Sequence, residues 1–207
     1  MGPLLTGIKE NRPIWKGIKL MALPQKEYYT YADYATWSDD VRYELIEGTP
    51  YLMSPAPSQT HQKLLGRLHL EIGSFLKNHP CEVFLAPFDV RLNANDLDDT
   101  VVQPDLMVIC DKTKLNGKNC EGAPDMVIEI LSPSSARHDR FTKRRLYERY
   151  GVQEYWVVSP EERIIEKHVL SKDGRYFGTV FGDEGEAYAD TLPGLSINLA
   201  ELFEEVA

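Results

Sequence analysis

Two apolar stretches decide the fold: VVQPDLMVI at residues 101–109 and MVIEIL at residues 126–131. Both are rich in β-branched residues, which is typical of strands buried on both faces. Each stretch carries one acid, Asp105 or Glu129. A carboxylate within such a strand is costly unless it is paired, protonated or bound to a metal. Because consecutive strands usually pair, we expect these two acids to share one site.

Paired acids allow two chemical interpretations. Two hard oxygen ligands suit Mg²⁺, with Mn²⁺ as a possible substitute. Alternatively, each acid forms a structural ion pair with an arginine or a lysine, because such pairs also perturb buried carboxylates. The two stretches by themselves leave both interpretations open.

Length and composition are those of a globular protein with one sizeable core. The chain has 207 residues, of which 43% are hydrophobic and 27% charged, ordinary values for a soluble domain. No apolar run approaches the roughly 18 residues of a membrane helix, and we expect no secretory signal. The net charge of −9 argues against polyanion binding through bulk charge, but it leaves room for a local basic groove.

The cysteines indicate neither a zinc site nor a disulfide framework. Cys81, Cys110 and Cys120 are odd in number and widely spaced, and no CxxC motif is present. We therefore expect reduced thiols and a cytoplasmic location.

The order of predicted elements favours the α/β class (α+β, mixed sheet). Residues 1–27 are expected to be a loosely ordered N-terminal extension, and residues 28–207 a single domain. In chain order we predict a short helix after Thr30, a hairpin over 42–53, a long amphipathic helix over 59–78, strands on either side of Pro87, the two acid-bearing strands, a helix over 138–150, a strand over 154–158 and a hairpin over 163–181. This order predicts a central mixed sheet flanked by helices, with additional hairpins.

Several motifs in this order resemble a known family. They are YELIEG at 43–48, MSP at 53–55 with His61 downstream, QPD at 103–105, VIEILSPSS at 127–135, the trio Asp139, Lys143 and Tyr147, and GVQEYWVV at 151–158. The pattern resembles the PD-(D/E)XK restriction-endonuclease-like superfamily, and in finer detail its Uma-two family. The resemblance covers roughly residues 28–170, and its most specific parts are the EILSPSS and GVQEYWVV runs.

The resemblance implies a Mg²⁺-dependent DNA endonuclease with a restriction-endonuclease-like core. Asp105, Glu129 and Ile130 would be its metal-binding residues, and a metal-activated water would hydrolyse the phosphodiester bond. The resemblance also implies a homodimer, and it implies neither an organic cofactor nor a membrane partner.

One position departs from the superfamily pattern. The lysine expected two residues after the second acid is Leu131, which can neither orient a water nor stabilise an anion. The resemblance points to Lys143, on the following helix, as the substitute. The alternative is that Lys143 forms an ordinary surface pair with Asp139, four residues earlier.

Two further residues complete the candidate catalytic set. Glu44 is the third acid, because its hydrophobic neighbours fit partial burial, whereas Glu47 has the polarity of an ordinary turn residue. His61 could contact a phosphate or a metal-bound water, or act as a base, but a lone histidine is often structural.

The helix over 138–150 carries a local basic excess. With Arg137 included, the segment contains six basic and two acidic residues, so its net charge is +4 (6 − 2). Arg140, Arg144 and Arg145 are the candidate contacts to nucleic acid, although such a run is often only a solvated helix face. The nearby aromatic residues at 147, 150, 155 and 156 fit the core better than a base-stacking surface.

Two other functions stay open. One is a nuclease fold with weakened catalysis that serves as a binding or regulatory module, which Leu131 and the net charge favour. The other is a metal-dependent hydrolase of a small phosphate ester.

Overall fold

The strand that follows Asp105 and the strand that carries Glu129 are neighbours in the largest of the three sheets that the described residues form. The structure is a computed structural model that describes residues 26–38, 41–53, 56–182 and 184–206. Its strands are β1 (Tyr43–Ile46), β2 (Thr49–Leu52), β3 (Glu82–Leu85), β4 (Val90–Arg91), β5 (Val101–Val102), β6 (Leu106–Ile109), β7 (Cys120–Glu121), β8 (Met126–Ile130), β9 (Glu154–Ser159), β10 (Ile164–Leu170), β11 (Tyr176–Phe181), β12 (Glu186–Tyr188) and β13 (Ser196–Asn198). Its α-helices are α1 (Tyr31–Tyr34), α2 (Gln59–Phe75), α3 (Arg144–Tyr150) and α4 (Leu199–Leu202).

The two large sheets are built from alternating stretches of the chain. The six-stranded sheet has the order β11-β10-β9-β8-β6-β3, and the five-stranded sheet has the order β2-β1-β5-β4-β7. In the six-stranded sheet β8 and β9 are parallel and the other neighbours antiparallel, so this sheet is mixed. Strands β12 and β13 form a separate ribbon. The mixed sheet and the hairpins match the sequence prediction, whereas the ribbon was not predicted.

The central strands separate two hydrophobic cores because their side chains alternate between faces. Met126, Ile128 and Ile130 of β8 face a core that contains α2, α4 and the β12–β13 ribbon. Val127 and Leu131 face a second core, which contains α3 and residues of the five-stranded sheet. Glu129 lies between Ile128 and Ile130 and therefore points to the α3 side.

The stretch 101–109 is not one strand, and that part of the sequence prediction is wrong. Val101–Val102 pairs with β1 and β4 in one sheet, whereas Leu106–Ile109 pairs with β3 and β8 in the other. The break falls at Gln103-Pro104-Asp105. Pro104 has no N–H for a ladder, and the Gln103 N–H is donated to the Glu44 carboxylate instead. Asp105 thus lies where the chain passes from one sheet to the other.

The helices follow the predicted apolar pattern. Ser58 caps α2 by accepting the His61 N–H, and the helix buries Leu64, Leu65, Leu68 and Ile72. The predicted helix over 138–150 consists of a π-helical segment, His138–Lys143, that continues into α3. It ends at Gly151 in the left-handed conformation, with φ of 85°.

The prediction of three reduced cysteines is wrong. Cys81 and Cys110 form a disulfide, and the buried Cys120 is a free thiol. The two bonded residues flank paired strands, since Glu82 lies opposite Ile109 in the β3–β6 ladder. That register cannot be read from a separation of 29 residues along the chain. Cysteine chemistry therefore gives no support to a cytoplasmic location.

The N-terminal extension expected over 1–27 lies almost entirely outside the described residues. Within the described ranges, no helix has the length and apolarity needed to cross a membrane.

Candidate active site

Five separate elements contribute side chains to one cavity of about 530 Å³. Its wall brings together the five candidate catalytic residues, which come from β1, α2, the break before β6, β8 and the π-helical segment: Glu44, His61, Asp105, Glu129 and Lys143. The backbone of Ile130, the third predicted metal-binding residue, lines the same wall. The acids of the two decisive stretches thus point into a common space.

Asp105 is held by a backbone donor and a histidine. Its Oδ2 accepts the Ile130 N–H at 2.8 Å and lies 3.0 Å from His61 Nε2. Burial would lower the pKa of His61, but its contact with Asp105 outweighs burial and raises it. In the described part of the chain, the Nδ1 atom of His61 is buried without a hydrogen-bond partner.

Glu129 is buried beside one cation, Lys143, and several acids. Its Oε1 accepts hydrogen bonds from Lys143 Nζ at 2.8 Å and from the Tyr147 hydroxyl at 2.9 Å. Its Oε2 lies 3.4 Å from the Asp105 N–H. Burial raises the pKa of Glu129 well above its usual range; Lys143 opposes this rise, whereas Asp139, Asp105 and Glu44 add to it. Burial and the neighbouring acids therefore disfavour the ionised form of Glu129.

Lys143 lies at the centre of this cluster and is only 5% exposed. Its Nζ is 2.8 Å from Glu44 Oε1 and 2.8 Å from Glu129 Oε1. The i,i+4 pair with Asp139 exists at 3.8 Å, but both side chains are buried rather than on the surface. Burial would lower the pKa of Lys143, yet Glu129, Glu44 and Asp139 raise it well above its usual value, so the side chain stays an ammonium.

Glu44, rather than Glu47, reaches the site. Glu44 is buried at 4% exposure, as its hydrophobic neighbours predict, whereas Glu47 is an exposed turn residue with φ of 48°. Burial alone would raise the pKa of Glu44, but Lys143, His138 and the Gln103 N–H together lower it to about 2. Glu44 is consequently the ionised partner of Lys143.

The π-helical segment explains how one helix supplies the cluster. Asp139 and Lys143 are its buried residues, and Tyr147 follows on α3. The spacing of four residues in the sequence predicts that these three side chains lie on one side of the helix. A π-helical turn widens the helix locally and is frequent at functional sites.

His138 belongs to the site and was missed from the sequence. It lines the cavity, its Nε2 lies 3.7 Å from Glu44 Oε2, and its ring packs at 5.3 Å from that of Tyr51. In the sequence, only its position directly before Asp139 indicates that His138 belongs to the site, because its partner Tyr51 comes from a distant hairpin.

The basic candidates do not converge on the acids. Arg140 pairs with Glu162 and Glu166, and Arg144 Nε lies 3.5 Å from His168 Nδ1. Arg145 lines a different cavity. Leu131 is also absent from the wall of this cavity, since its side chain packs in the second core.

The donors for a metal ion are incomplete on their own. Asp105 and Glu129 offer carboxylate oxygens at one wall, which Ile130 also lines. Across the described ranges, however, no three acidic, histidine or cysteine side chains form a ready group around a common point. Mg²⁺ commonly keeps several waters and takes one or two carboxylates, so this donor set fits such an ion better than a fully protein-coordinated one.

The first prediction concerns Glu44→Gln. The pKa of Glu44 falls from 4.5 unfolded to about 2 folded, so its ionised form adds stability on the order of 3 kcal/mol. This stability is fully present above the unfolded pKa and is lost as pH falls toward 2. Urea unfolding should show the deficit of Glu44→Gln above pH 5, and the deficit should shrink on acidification.

The matched control is Glu71→Gln on the exposed face of α2. Its deficit should be small at every pH. A deficit of Glu44→Gln that does not change with pH would contradict the ion pair with Lys143.

The second prediction concerns Leu131→Lys, which restores the superfamily residue. Leu131 is 7% exposed in an apolar core, and the nearby Glu129 already has two donors. We expect the free energy of unfolding to fall by about 3 kcal/mol, measured by urea denaturation. Leu131→Met should cost under roughly 1.5 kcal/mol. A Leu131→Lys variant as stable as the wild type would show that this position is not packed.

Comparisons with known proteins bear on the family and the fold of the chain. A family profile described as "Uma2: Putative restriction endonuclease" matches residues 27–200. An uncharacterized protein from Synechocystis sp. is 28% identical over 145 residues, which cover 69% of this chain and 74% of that protein. A solved structure from Anabaena variabilis, described as a "putative nuclease belonging to DUF820", superposes with a TM-score of 0.70 at 19% identity.

That superposition covers 86% of this chain and 99% of the Anabaena chain, so the two share a fold. The resemblance seen in the sequence is confirmed, and so is its restriction-endonuclease-like fold. Because the family profile spans most of the residues, the chain belongs to the Uma2 family of restriction-endonuclease-like proteins.

Proposed function

We propose that the protein is a divalent-metal-dependent nuclease that hydrolyses phosphodiester bonds in DNA, with Mg²⁺ as its metal and Mn²⁺ as a substitute. The observation that carries this proposal is the convergence of Asp105 and Glu129 on a cavity that also holds a buried ammonium. The description of the family names a restriction endonuclease, and that of the Anabaena protein names a nuclease. Both descriptions support phosphodiester hydrolysis.

The donor chemistry fits the metal. Asp105, Glu129 and the Ile130 carbonyl would hold it, because Mg²⁺ prefers oxygen ligands. In the described part of the chain no hydrogen bond occupies Asp105 Oδ1, and the crowded acids around Glu129 favour an added cation. When bound, a divalent cation lowers the pKa of water and offsets charge on a phosphate.

The remaining side chains position the metal-binding acids and Lys143, and they neutralise negative charge. Lys143 fixes Glu129 through a 2.8 Å hydrogen bond and, as a permanent ammonium, compensates negative charge beside the phosphate. His61 orients Asp105 from the opposite wall. Glu44 fixes Lys143 from the second sheet. In this assignment Lys143 takes the place of the lysine absent at residue 131.

A nuclease fold without activity is the second candidate. The observation that favours it is that Lys143 is already engaged by two carboxylates, which leaves less of its charge for a substrate.

The third prediction separates these candidates with Asp105→Asn. The wild type should nick plasmid DNA in Mg²⁺, and its melting temperature should rise on adding Mg²⁺ because the ion binds the folded state. Asp105→Asn should lose nicking by on the order of 10²-fold or more and should lose the thermal response. Glu71→Gln should keep both properties.

Two outcomes argue against the proposal. A wild type that neither cleaves nor gains stability in Mg²⁺ favours the inactive fold. Retention of cleavage by Asp105→Asn would remove Asp105 from the site.

A homodimer and a cytoplasmic location are finer parts of the proposal. A dimer would bring two sites to the two strands of DNA. A cytoplasmic location would give access to DNA, although reducing compartments seldom preserve a disulfide such as Cys81–Cys110. Support for a dimer comes from β11, an edge strand of the large sheet with Phe177 69% and Val180 63% exposed. Exposed apolar edge strands are prone to pair with another chain.

The fourth prediction tests this edge with the double substitution Phe177→Lys and Val180→Lys. Sedimentation should show a wild-type dimer and a monomeric variant, because the added charges repel across a two-fold edge. Leu70→Lys, at an equally exposed leucine on α2, should stay dimeric. A monomeric wild type would refute the dimer.

A further inference from the structure

A second cavity of about 540 Å³ borders the same two elements as the first. Its wall is formed by the end of β1, the outer side of the helix over 138–150 and the turn between β10 and β11. The residues are Ile46, Glu47, Phe141, Thr142, Arg145, Leu146, Glu148, Arg149, Gly174 and Arg175. We call this surface the arginine groove. None of its residues lines the first cavity, which holds the acids.

Positive charge exceeds negative charge in the arginine groove, in a chain of net charge −9. Arg149 pairs with Glu47, and Arg175 pairs with Glu148 at 3.0 Å, but both guanidinium groups are well exposed. Such surface pairs are worth little and can be exchanged for a phosphate. Within the described ranges, Arg145 has neither an ion pair nor a hydrogen-bond partner. It is therefore the cation most available to a ligand.

An exposed aromatic ring adjoins these cations. Phe141 is 66% exposed and lies one helical turn before Arg145, so both project from the same side of the helix. A single exposed apolar residue is ordinary. An exposed ring beside guanidinium groups, however, is typical of sites that bind single-stranded nucleic acid. An unpaired base stacks on the ring, and the guanidinium groups neutralise the phosphates.

The groove lies at the right distance from the catalytic wall. Along β1, Glu44 faces the first cavity, and Ile46 and Glu47 line the second, two and three residues further on. At about 3.3 Å per residue, this is roughly 7–10 Å. Phosphates along one strand of duplex DNA are about 3.4 Å apart in axial rise, and an unpaired strand can extend further. A strand in the first cavity would therefore reach the groove within a few nucleotides.

We propose that the arginine groove binds a single-stranded segment of DNA next to the cleavage position, with Phe141 stacked on an unpaired base and Arg145 on a phosphate. This inference rests on the proposed nuclease function and narrows its substrate to a polynucleotide with an unpaired segment. A small phosphate ester would not extend into the groove.

Binding in EDTA tests the proposal independently of cleavage. Fluorescence anisotropy is measured with a labelled single-stranded DNA oligonucleotide and with its blunt duplex. Phe141→Ala should weaken single-strand binding by about 5- to 150-fold, the range found for loss of one stacked base. It should leave duplex binding nearly unchanged. Arg145→Gln should lower the salt slope of single-strand binding by about 0.7.

Lys118→Ala is the matched control, because Lys118 is an exposed lysine that lines neither cavity. It should bind the single strand like the wild type. Equal single-strand affinity of Phe141→Ala and wild type would overturn the proposal, and so would a wild type that binds only duplex. A wild type that binds single strands through Phe141 but never cleaves would retain the groove and refute the nuclease.

Discussion

The ammonium of Lys143 is the interaction on which the site depends. It lies buried between Glu44 of one sheet and Glu129 of the other, at 2.8 Å from each. A buried charge of either sign is costly alone, so neither acid is tolerable there without this lysine, nor the lysine without them. The cluster therefore joins the two sheets at the point where the cavity opens. Structure and candidate chemistry use the same charges.

This shared use explains why the two interpretations of the acids are not exclusive. A structural ion pair and a metal site were alternatives in the sequence, yet Glu129 takes part in an ion pair with Lys143 and still lines the cavity beside Asp105. Burial raises the pKa of Glu129; Lys143 opposes the rise, and Asp139, Asp105 and Glu44 add to it. The number of acids around one ammonium is the property that separates this cluster from a simple structural ion pair.

Local patterns allowed much of this arrangement to be predicted. The β-branched runs around Asp105 and Glu129 predict adjacent strands, and the stripe of Asp139, Lys143 and Tyr147 predicts one inward-facing side of a helix. Features set by register or by distant packing could not be predicted in this way. The Cys81–Cys110 bond depends on how β3 and β6 align, and the role of His138 depends on Tyr51 of another hairpin.

The placement of Leu131 has a consequence for substitutions. In this chain the strand position that the resemblance assigns to lysine is part of an apolar core, and the helix places a buried ammonium beside Glu129. A lysine at residue 131 would compete with Lys143 for Glu129. Loss of Lys143 would leave two buried carboxylates, Glu44 and Glu129, without their cation. Each single substitution gives a less stable protein. Leu131 and Lys143 are thus coupled through Glu129, so the effect of a substitution at either position depends on the residue at the other.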